Sequence, residues 1–296
     1  MKTQTIAAID IGSNAIRLMV SNVELYRNNN IKRVALLRVP IRLGEDVFSD
    51  NIISAEKLDL MENAMCGFAS LLKAYGVTMY RACATSAMRE ATNSEQVLFR
   101  IKEISDIDID IISGAEEADL IFTAGKSQAI MEPGKSYLYI DVGGGSTEVI
   151  MYSEGTKVCS HSFELGTVRM LSGNVDPNEI NEYEQWIKTQ SETYKPCAII
   201  GSGGNINKIQ RLVGKKDKDP FSAAELSELY QTLQSMSNEQ RIHSLSLNPH
   251  RADVILPAAN IYNTAAKVGQ INNIIVPRLG LADGIILQLA QKLNSK

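Results

Sequence analysis

The sequence has few of the features that mark disulfide-bonded, zinc-binding, membrane or DNA-binding proteins. Its four cysteines form no CxxC pair and its three histidines complete no ligand cluster, so we expect reduced, buried cysteines and no zinc site. No apolar run is long enough to cross a membrane, and the chain starts directly on a strand without a signal-peptide core. The formal charge of -4 provides no long-range attraction toward DNA. We therefore expect a cytoplasmic protein with no membrane or DNA partner.

The composition that remains is typical of a globular protein. Hydrophobic residues make up 44% of the chain and charged residues 22%, which argues against disorder. A length of 296 residues exceeds what a single hydrophobic core usually accommodates. We therefore expect two domains of similar size.

The two halves of the chain repeat one pattern. Residues 137–149 read YLYIDVGGGSTEV and residues 7–19 read AAIDIGSNAIRLM, and the two stretches align when Asp141 is placed on Asp10. Each is an apolar strand that ends in aspartate, followed by a tight glycine-containing loop and a second, β-branched strand. After these stretches, both halves alternate helical and strand-like segments. The sequence therefore predicts an α/β duplication whose boundary lies near residues 115–135.

Both glycine loops have the chemistry of a phosphate-binding site. Glycine-rich backbone places several N–H groups in one concavity, and the missing Cβ atoms let an anion approach closely. The β-branched residues after each loop indicate a hairpin instead of the strand-to-helix loop of dinucleotide-binding and Walker motifs. One glycine triplet is often only a turn, but two loops in register favour phosphate binding. The predicted phosphate-binding residues are Gly12, Ser13, Asn14, Arg17, Gly143, Gly144, Gly145 and Ser146.

Carboxylates beside the loops suit a divalent cation. Asp10 and Asp141 stand at strand ends where a carboxylate can hold hydrated Mg²⁺, although each could simply accept hydrogen bonds from its own loop amides. Glu148 shares a face of its strand with Ile150, next to the loop, and could join Asp141 as a metal ligand. Arg17 occupies the equivalent position of the first hairpin with the opposite charge. This difference indicates metal binding at one loop and anion binding at the other.

Further candidates lie beyond the two hairpins. Glu116 and Glu117 differ by about 100° around a helix axis, so only one can face a given cleft, where it could orient or deprotonate a water. Acidic residues at a helix start also interact favourably with the helix dipole without any catalytic role. Arg89 could bind a phosphate through its fork of donors or be an ordinary surface arginine. The third glycine loop, GSGGN at 201–205, could receive a nucleoside or phosphate, or be a tight turn.

A series of motifs along nearly the whole chain resembles the exopolyphosphatase/guanosine pentaphosphate phosphatase family. In order, they are AAIDIGSNAIRL, RLGEDV, ATSAMREA, ISGAEEADLIF, IDVGGGSTEV, ELGTVRM, RADVILPAANI and RLGLADGII. That family belongs to the superfamily of sugar kinases, heat-shock chaperone ATPases and actin. The resemblance implies two ribonuclease-H-like domains with an active cleft between them. The first would contain residues 1–123 plus about 282–296, and the second residues 124–281.

The resemblance also implies an activity and its residues. Family members hydrolyse the terminal phosphoanhydride of inorganic polyphosphate, or the 5′-terminal phosphate of guanosine pentaphosphate, with Mg²⁺ or another divalent cation. Matching the motifs implies Glu117 as the catalytic base and Arg89 as a second catalytic residue. It places Asp141 and Glu148 near metal and phosphate. Polyphosphate or a phosphorylated guanosine nucleotide is then the partner, and family habit makes a homodimer plausible.

Three questions stay open at this level. Polyphosphate and guanosine pentaphosphate share the phosphate that the loops recognise, so the substrate is not distinguished. The rivals are a kinase of the same superfamily, against which the GAEEA glutamates and the motif order argue, and a non-catalytic binder of guanosine tetraphosphate or polyphosphate. The GSGGN loop, where family members usually carry threonines, leaves the second rival open. Longer members add C-terminal helical domains, so for 296 residues we expect less processive action on very long chains.

Overall fold

The computed structural model describes residues 3–24, 30–127, 131–216, 219–277 and 279–294. The strands are β1 (Thr3–Ile11), β2 (Ile16–Glu24), β3 (Asn30–Val39), β4 (Met79–Ala84), β5 (Ile109–Ile111), β6 (Tyr137–Val142), β7 (Thr147–Ser153), β8 (Thr156–Phe163), β9 (Ala198–Ser202), β10 (Phe221–Ser222) and β11 (Asn273–Ile275). The helices are α1 (Leu43–Asp50), α2 (Ala55–Ala74), α3 (Ser86–Glu90), α4 (Ser94–Ser105), α5 (Gly114–Ser127), α6 (Thr167–Leu171), α7 (Pro177–Tyr194), α8 (Gly204–Leu212), α9 (Ala223–Ser235), α10 (Asn238–Ser244), α11 (Pro249–Ala252), α12 (Ile255–Val268) and α13 (Leu281–Asn294).

The chain divides into two compact units. The first contains Met1–Ala124 and Gly280–Lys296, and the second contains Gly125–Leu279. The first unit is built on a five-stranded sheet in the order β3-β2-β1-β4-β5. Strands β1, β2 and β3 form an antiparallel meander, whereas β4 and β5 run parallel to β1. The C-terminal helix α13 packs on β1, β2 and β4 because its leucines and isoleucines recur at helical spacing on one face.

The second unit repeats this arrangement in a six-stranded sheet, in the order β10-β11-β9-β6-β7-β8. Strands β6, β7 and β8 form the meander, and β9 and β11 run parallel to β6. A single hydrophobic cluster fills the space between this sheet and helices α7, α8, α9 and α12. The same strand order in both units confirms the predicted α/β duplication and its pair of ribonuclease-H-like domains.

One local expectation is wrong. The four cysteines are not all buried, since Cys66 and Cys197 are exposed while Cys83 is buried. Cys66 follows the buried Met65 on α2 and is therefore rotated away from the helix's buried face. Burial raises the pKa of the Cys83 thiol to about 12, so this cysteine stays protonated.

The structure also bears on membrane association. None of the helices in its described residues combines the length and the apolar composition that crossing a bilayer requires.

The start of helix α9 should make stability depend on pH. The Glu225 carboxylate accepts a hydrogen bond from the Ser222 amide at 2.8 Å and pairs with Lys215 at 2.9 Å. The bond from the Ser222 amide and, second, the bond from Lys215 lower the pKa of Glu225 from 4.5 to about 2. A lowered carboxyl pKa stabilises the folded state above the unfolded pKa and stops doing so as the pH falls through the folded value. Urea unfolding should therefore show that Glu225→Gln destabilises the protein above about pH 4.5 and has a shrinking effect toward pH 2. An effect of equal size at all these pH values would contradict this assignment.

Candidate active site

The predicted site residues fall into two groups, one in each unit. The first unit carries Asp10, Gly12, Ser13, Asn14, Arg17, Arg89 and Glu117. The second unit carries Asp141, Gly143, Gly144, Gly145, Ser146 and Glu148.

The first loop closes a hairpin between β1 and β2. Asp10 and Arg17 are direct partners across the two antiparallel strands. The Gly12 amide donates to the Ala15 carbonyl at 3.2 Å and closes the turn. The Gly12 N–H is therefore used inside the turn, and the neighbouring amides are the ones that a ligand can reach.

These neighbouring amides point in one direction. The Ser13 carbonyl accepts from the Gly44 amide at 2.8 Å, and the Asn14 carbonyl accepts from the Arg42 amide at 3.1 Å. In a planar trans peptide the N–H points opposite to the C=O, so the amides of Asn14 and Ala15 point away from those donors. Among the described residues, no acceptor takes either amide. Two N–H groups are thus directed at the place where an anion would sit.

The second loop closes the hairpin between β6 and β7 in the same manner. Asp141 and Glu148 are direct cross-strand partners. The Gly143 amide donates to the Ser146 carbonyl at 2.9 Å. The two hairpins are therefore equivalent position by position, with an acidic and a basic residue exchanged at the second cross-strand position.

Helix α6 holds the second loop through the loop carbonyls. The carbonyls of Gly143 and Gly144 accept from the first amides of α6 at 3.0 and 2.8 Å, and the Gly145 carbonyl accepts from Arg169 Nε at 2.9 Å. By the same peptide geometry, the amides of Gly144, Gly145 and Ser146 point away from α6. In the part of the chain that the structure describes, none of these three amides has an acceptor. The loop therefore presents a row of N–H groups that suits phosphate oxygens.

Sequence reasoning assigns no role to Gly166 or Arg169, although both lie in the ELGTVRM motif. A Cβ atom at Gly166 would lie 2.3 Å from the Gly144 oxygen, so only glycine permits this approach of α6 to the loop. Arg169 is 7% exposed, and its guanidinium is fixed between the loop and the helix. A glycine directly before a short helix was the available signal. Its target could not be read from the sequence because the contact is non-local.

Asp141 and Glu148 form a pair that fits a divalent cation. Glu148 is 2% exposed, and its Oε1 accepts from Ser146 Oγ at 2.6 Å and from Ser162 Oγ at 3.1 Å. Direct partners on adjacent strands place their side chains on the same face of the sheet. All donor atoms here are oxygens, and Mg²⁺ usually takes only one or two carboxylates in addition to water and substrate phosphate. Across the described ranges, no group of three or more histidine, cysteine, aspartate and glutamate side chains could hold a metal ion.

The third glycine loop lies beside Asp141. Strand β9 pairs with β6 so that Ser202 is the parallel neighbour of Asp141. Gly203 has a φ angle of 97°, and a Cβ atom there would lie 2.8 Å from Asp141 Oδ1. Glycine is therefore required at this position both for the left-handed backbone and for the close approach to a carboxylate. This geometry places the GSGGN loop next to Asp141, which the sequence left open.

Asp10 differs from Asp141 in its partner. Asp10 is 4% exposed, and its Oδ2 lies 2.6 Å from Arg17 Nη1. The guanidinium therefore holds one of the two oxygens of this carboxylate. That Asp10 binds metal and that Arg17 binds phosphate remain predictions.

The adjacent glutamates of α5 have different partners. Glu117 Oε2 lies 3.5 Å from Arg89 Nη1, which also donates to the Ile112 carbonyl at 2.9 Å. The Glu117 side chain is 14% exposed, whereas the Glu116 side chain is 43% exposed and pairs with Arg81 at 2.8 Å. Only Glu117 is thus held in a partly enclosed environment beside an arginine that has further donors.

Helix α3, which carries Arg89, is tied to the first loop. Ser86 Oγ lies 2.8 Å from Ser13 Oγ, and the Thr85 amide donates to the Ile11 carbonyl at 3.1 Å. Both hydroxyl-bearing residues therefore contact the hairpin instead of capping their own helix through the side chain. Hydrogen bonds therefore connect the first loop to the helix that carries Arg89.

Comparison with known proteins identifies the family and the fold. Residues 22–293 match the Ppx/GppA phosphatase family. Exopolyphosphatase 2 of Mycobacterium tuberculosis is 26% identical over 326 residues, which covers 98% of this chain and 100% of the relative. An exopolyphosphatase structure from Cytophaga hutchinsonii superposes with a TM-score of 0.86 at 22% identity and 98% coverage of both chains. The Ppx/GppA family member of Aquifex aeolicus superposes with a TM-score of 0.79 at 21% identity and 99% coverage of both chains.

Proposed function

The chain belongs to the Ppx/GppA phosphatase family, and from this premise we propose that it is an exopolyphosphatase that hydrolyses the terminal phosphoanhydride of inorganic polyphosphate. The observation that carries the proposal is the pair of equivalent hairpin loops. In each loop, carbonyl groups accept hydrogen bonds from other segments of the same unit. The amides on the opposite side of those peptides would donate to phosphate oxygens, and they belong to Asn14, Ala15, Gly144, Gly145 and Ser146. The names of its relatives support polyphosphate as the substrate.

Glu117 is the proposed general base. It would orient a water molecule and accept its proton while the water oxygen attacks the terminal phosphorus, and the shortened polyphosphate would leave with the bridging oxygen. Arg89 would hold non-bridging oxygens, because its guanidinium has donors beyond the one that binds Ile112.

Asp141 and Glu148 are the proposed ligands of a divalent cation such as Mg²⁺. When bound, the cation would neutralise negative charge on the phosphate oxygens. Ser146 and Ser162 would orient Glu148 through their hydroxyls, and Gly203 would let the third loop approach Asp141. Asp10 would serve the first loop by positioning Arg17 as an anion-binding group.

Replacing Asp141 by asparagine should weaken cation binding by about 10- to 100-fold, because the substitution removes one of two carboxylate charges. Calorimetric titration with Mn²⁺ measures this without turnover. Asp253→Asn, at another acidic position of the same unit, is the control and should leave the affinity unchanged. Equal Mn²⁺ affinity in Asp141→Asn and the parent would contradict the assignment of this ligand.

The proposed activity is tested by phosphate release with Mg²⁺ from tripolyphosphate, long-chain polyphosphate and guanosine pentaphosphate. We expect release from at least one polyphosphate, and guanosine pentaphosphate is included because it carries the same terminal phosphoanhydride. Transfer of phosphate from ATP to an acceptor instead of water would favour a kinase. Tight polyphosphate binding without release of phosphate would favour a non-catalytic polyphosphate-binding protein.

A further inference from the structure

A cavity in the second unit is lined by residues that belong to neither hairpin loop. It has a volume of about 450 Å³ and opens between helices α6, α9, α10 and α12. Its apolar wall includes Met170, Leu171, Tyr230 and Leu256. Pockets of this size with apolar walls and a few polar groups are typical of sites for small organic molecules.

The polar group that distinguishes this cavity is Arg241. Arg241 is 8% exposed and lines the cavity. Nε and Nη2 donate to the Leu233 carbonyl at 3.0 and 2.8 Å, and Nη1 donates to the Ala252 carbonyl at 3.3 Å. A guanidinium has five N–H groups, so each terminal nitrogen retains one donor after these bonds.

The bonding partners of the Arg241 guanidinium are uncharged. Within the described residues, no carboxylate lies at ion-pair distance from this guanidinium, and its three bonding partners are neutral carbonyl oxygens. Asp253 also lines the cavity, but its Oδ1 accepts from the Val254 amide at 2.8 Å. Burial lowers the pKa of Arg241, and the charge of Asp253 opposes this only in part. A buried cation whose partners are all neutral is stabilised by an ion pair with an anionic ligand, and the apolar part of such a ligand can pack against the cavity wall.

We propose that this cavity is a binding site for a small organic anion. The acidic group of the ligand would accept the two remaining donors of Arg241, and its aliphatic or aromatic body would pack against Tyr230 and Leu256. Phosphate hydrolysis is not a premise of this site, because no residue of either hairpin loop lines the cavity.

The test uses the full chain and two fluorescent probes that differ in charge. The anionic probe is 8-anilinonaphthalene-1-sulfonate, and N-phenyl-1-naphthylamine is its uncharged analogue. We expect one sulfonate probe per chain, bound about tenfold more tightly than the neutral probe, because only the sulfonate can pair with Arg241. Equal affinities would show adsorption to apolar surface alone and would overturn the proposal.

Two variants locate the probe. Leu171→Trp places a larger side chain at the cavity wall and should weaken sulfonate binding about tenfold. Leu60→Trp is the matched control, because Leu60 is a leucine of similar exposure on a helix of the first unit, 47% against 46% for Leu171. Unchanged binding in Leu171→Trp, or an equal loss in both variants, would overturn the proposal.

A further pair of variants tests the charge. Arg241→Lys retains the charge and Arg241→Met removes it, while both lose bonds to the Leu233 carbonyl. Thermal unfolding first establishes that each variant is folded. We expect the methionine variant to lose the preference for the sulfonate probe and the lysine variant to keep most of it. A preference that survives in Arg241→Met would contradict the role of Arg241, and Leu171→Trp decides the question if the methionine variant does not fold.

Discussion

Glu117→Gln should lower the rate of phosphate release by about 10²- to 10⁴-fold, the usual contribution of a general base. Glutamine keeps the size of the side chain and can still contact Arg89, but it cannot accept a proton from water. Polyphosphate affinity should fall little, since the substitution leaves the loop amides that are proposed to bind phosphate unchanged. Phosphate release under saturating substrate, together with equilibrium binding of tripolyphosphate, measures the two effects separately.

Glu116→Gln is the matched control for this prediction. Glu116 is the preceding residue on the same helix, but its side chain is 43% exposed and pairs with Arg81. A surface pair of this kind contributes about 0–1 kcal/mol, so activity should remain within a few-fold of the parent. If Glu116→Gln abolished release and Glu117→Gln did not, the assignment of the base would be wrong. If both lost release without losing fold, the two glutamates would act together.

Gly166→Ala should both destabilise the second unit and weaken phosphate binding. The added Cβ atom would lie 2.3 Å from the Gly144 oxygen, and that atom is backbone and cannot move aside without moving the loop. Overpacking of this kind typically costs about 1–3 kcal/mol. Displacing the loop also misaligns its amides, so we expect a loss of phosphate affinity of about tenfold or more. Urea unfolding and tripolyphosphate titration measure the two consequences.

Gly67→Ala controls for the substitution itself. Gly67 is exposed on helix α2, and a Cβ atom there would meet nothing within 4 Å. Alanine in a helix is favoured over glycine by about 0.5–1 kcal/mol, so this variant should be as stable as the parent or more stable. Normal stability and normal phosphate affinity in Gly166→Ala would show that α6 does not set the position of the loop.

Local sequence determined the two hairpins that form the candidate site. The apolar strand, the aspartate, the short glycine loop and the β-branched strand follow one another without interruption, and loop length sets the register of a hairpin. Asp10 therefore lies opposite Arg17, and Asp141 lies opposite Glu148. The matching halves likewise sufficed to predict two α/β domains, since each hairpin is followed by parallel strands and helices in the same order.

Tertiary structure alone decided which atoms of the hairpins remain available. Carbonyls of the first loop accept hydrogen bonds from residues 42–44, and carbonyls of the second loop accept them from α6. In both cases at least one whole strand separates the loop from its donors in the sequence. The same kind of contact pairs Arg89 with Glu117 and brings Gly203 to Asp141. The direction of a backbone N–H depends on which donor bonds the carbonyl of the same peptide, and in both loops those donors are distant in sequence. Residue types and spacing therefore predicted the two hairpin loops, whereas packing between distant segments determined the direction of their amides.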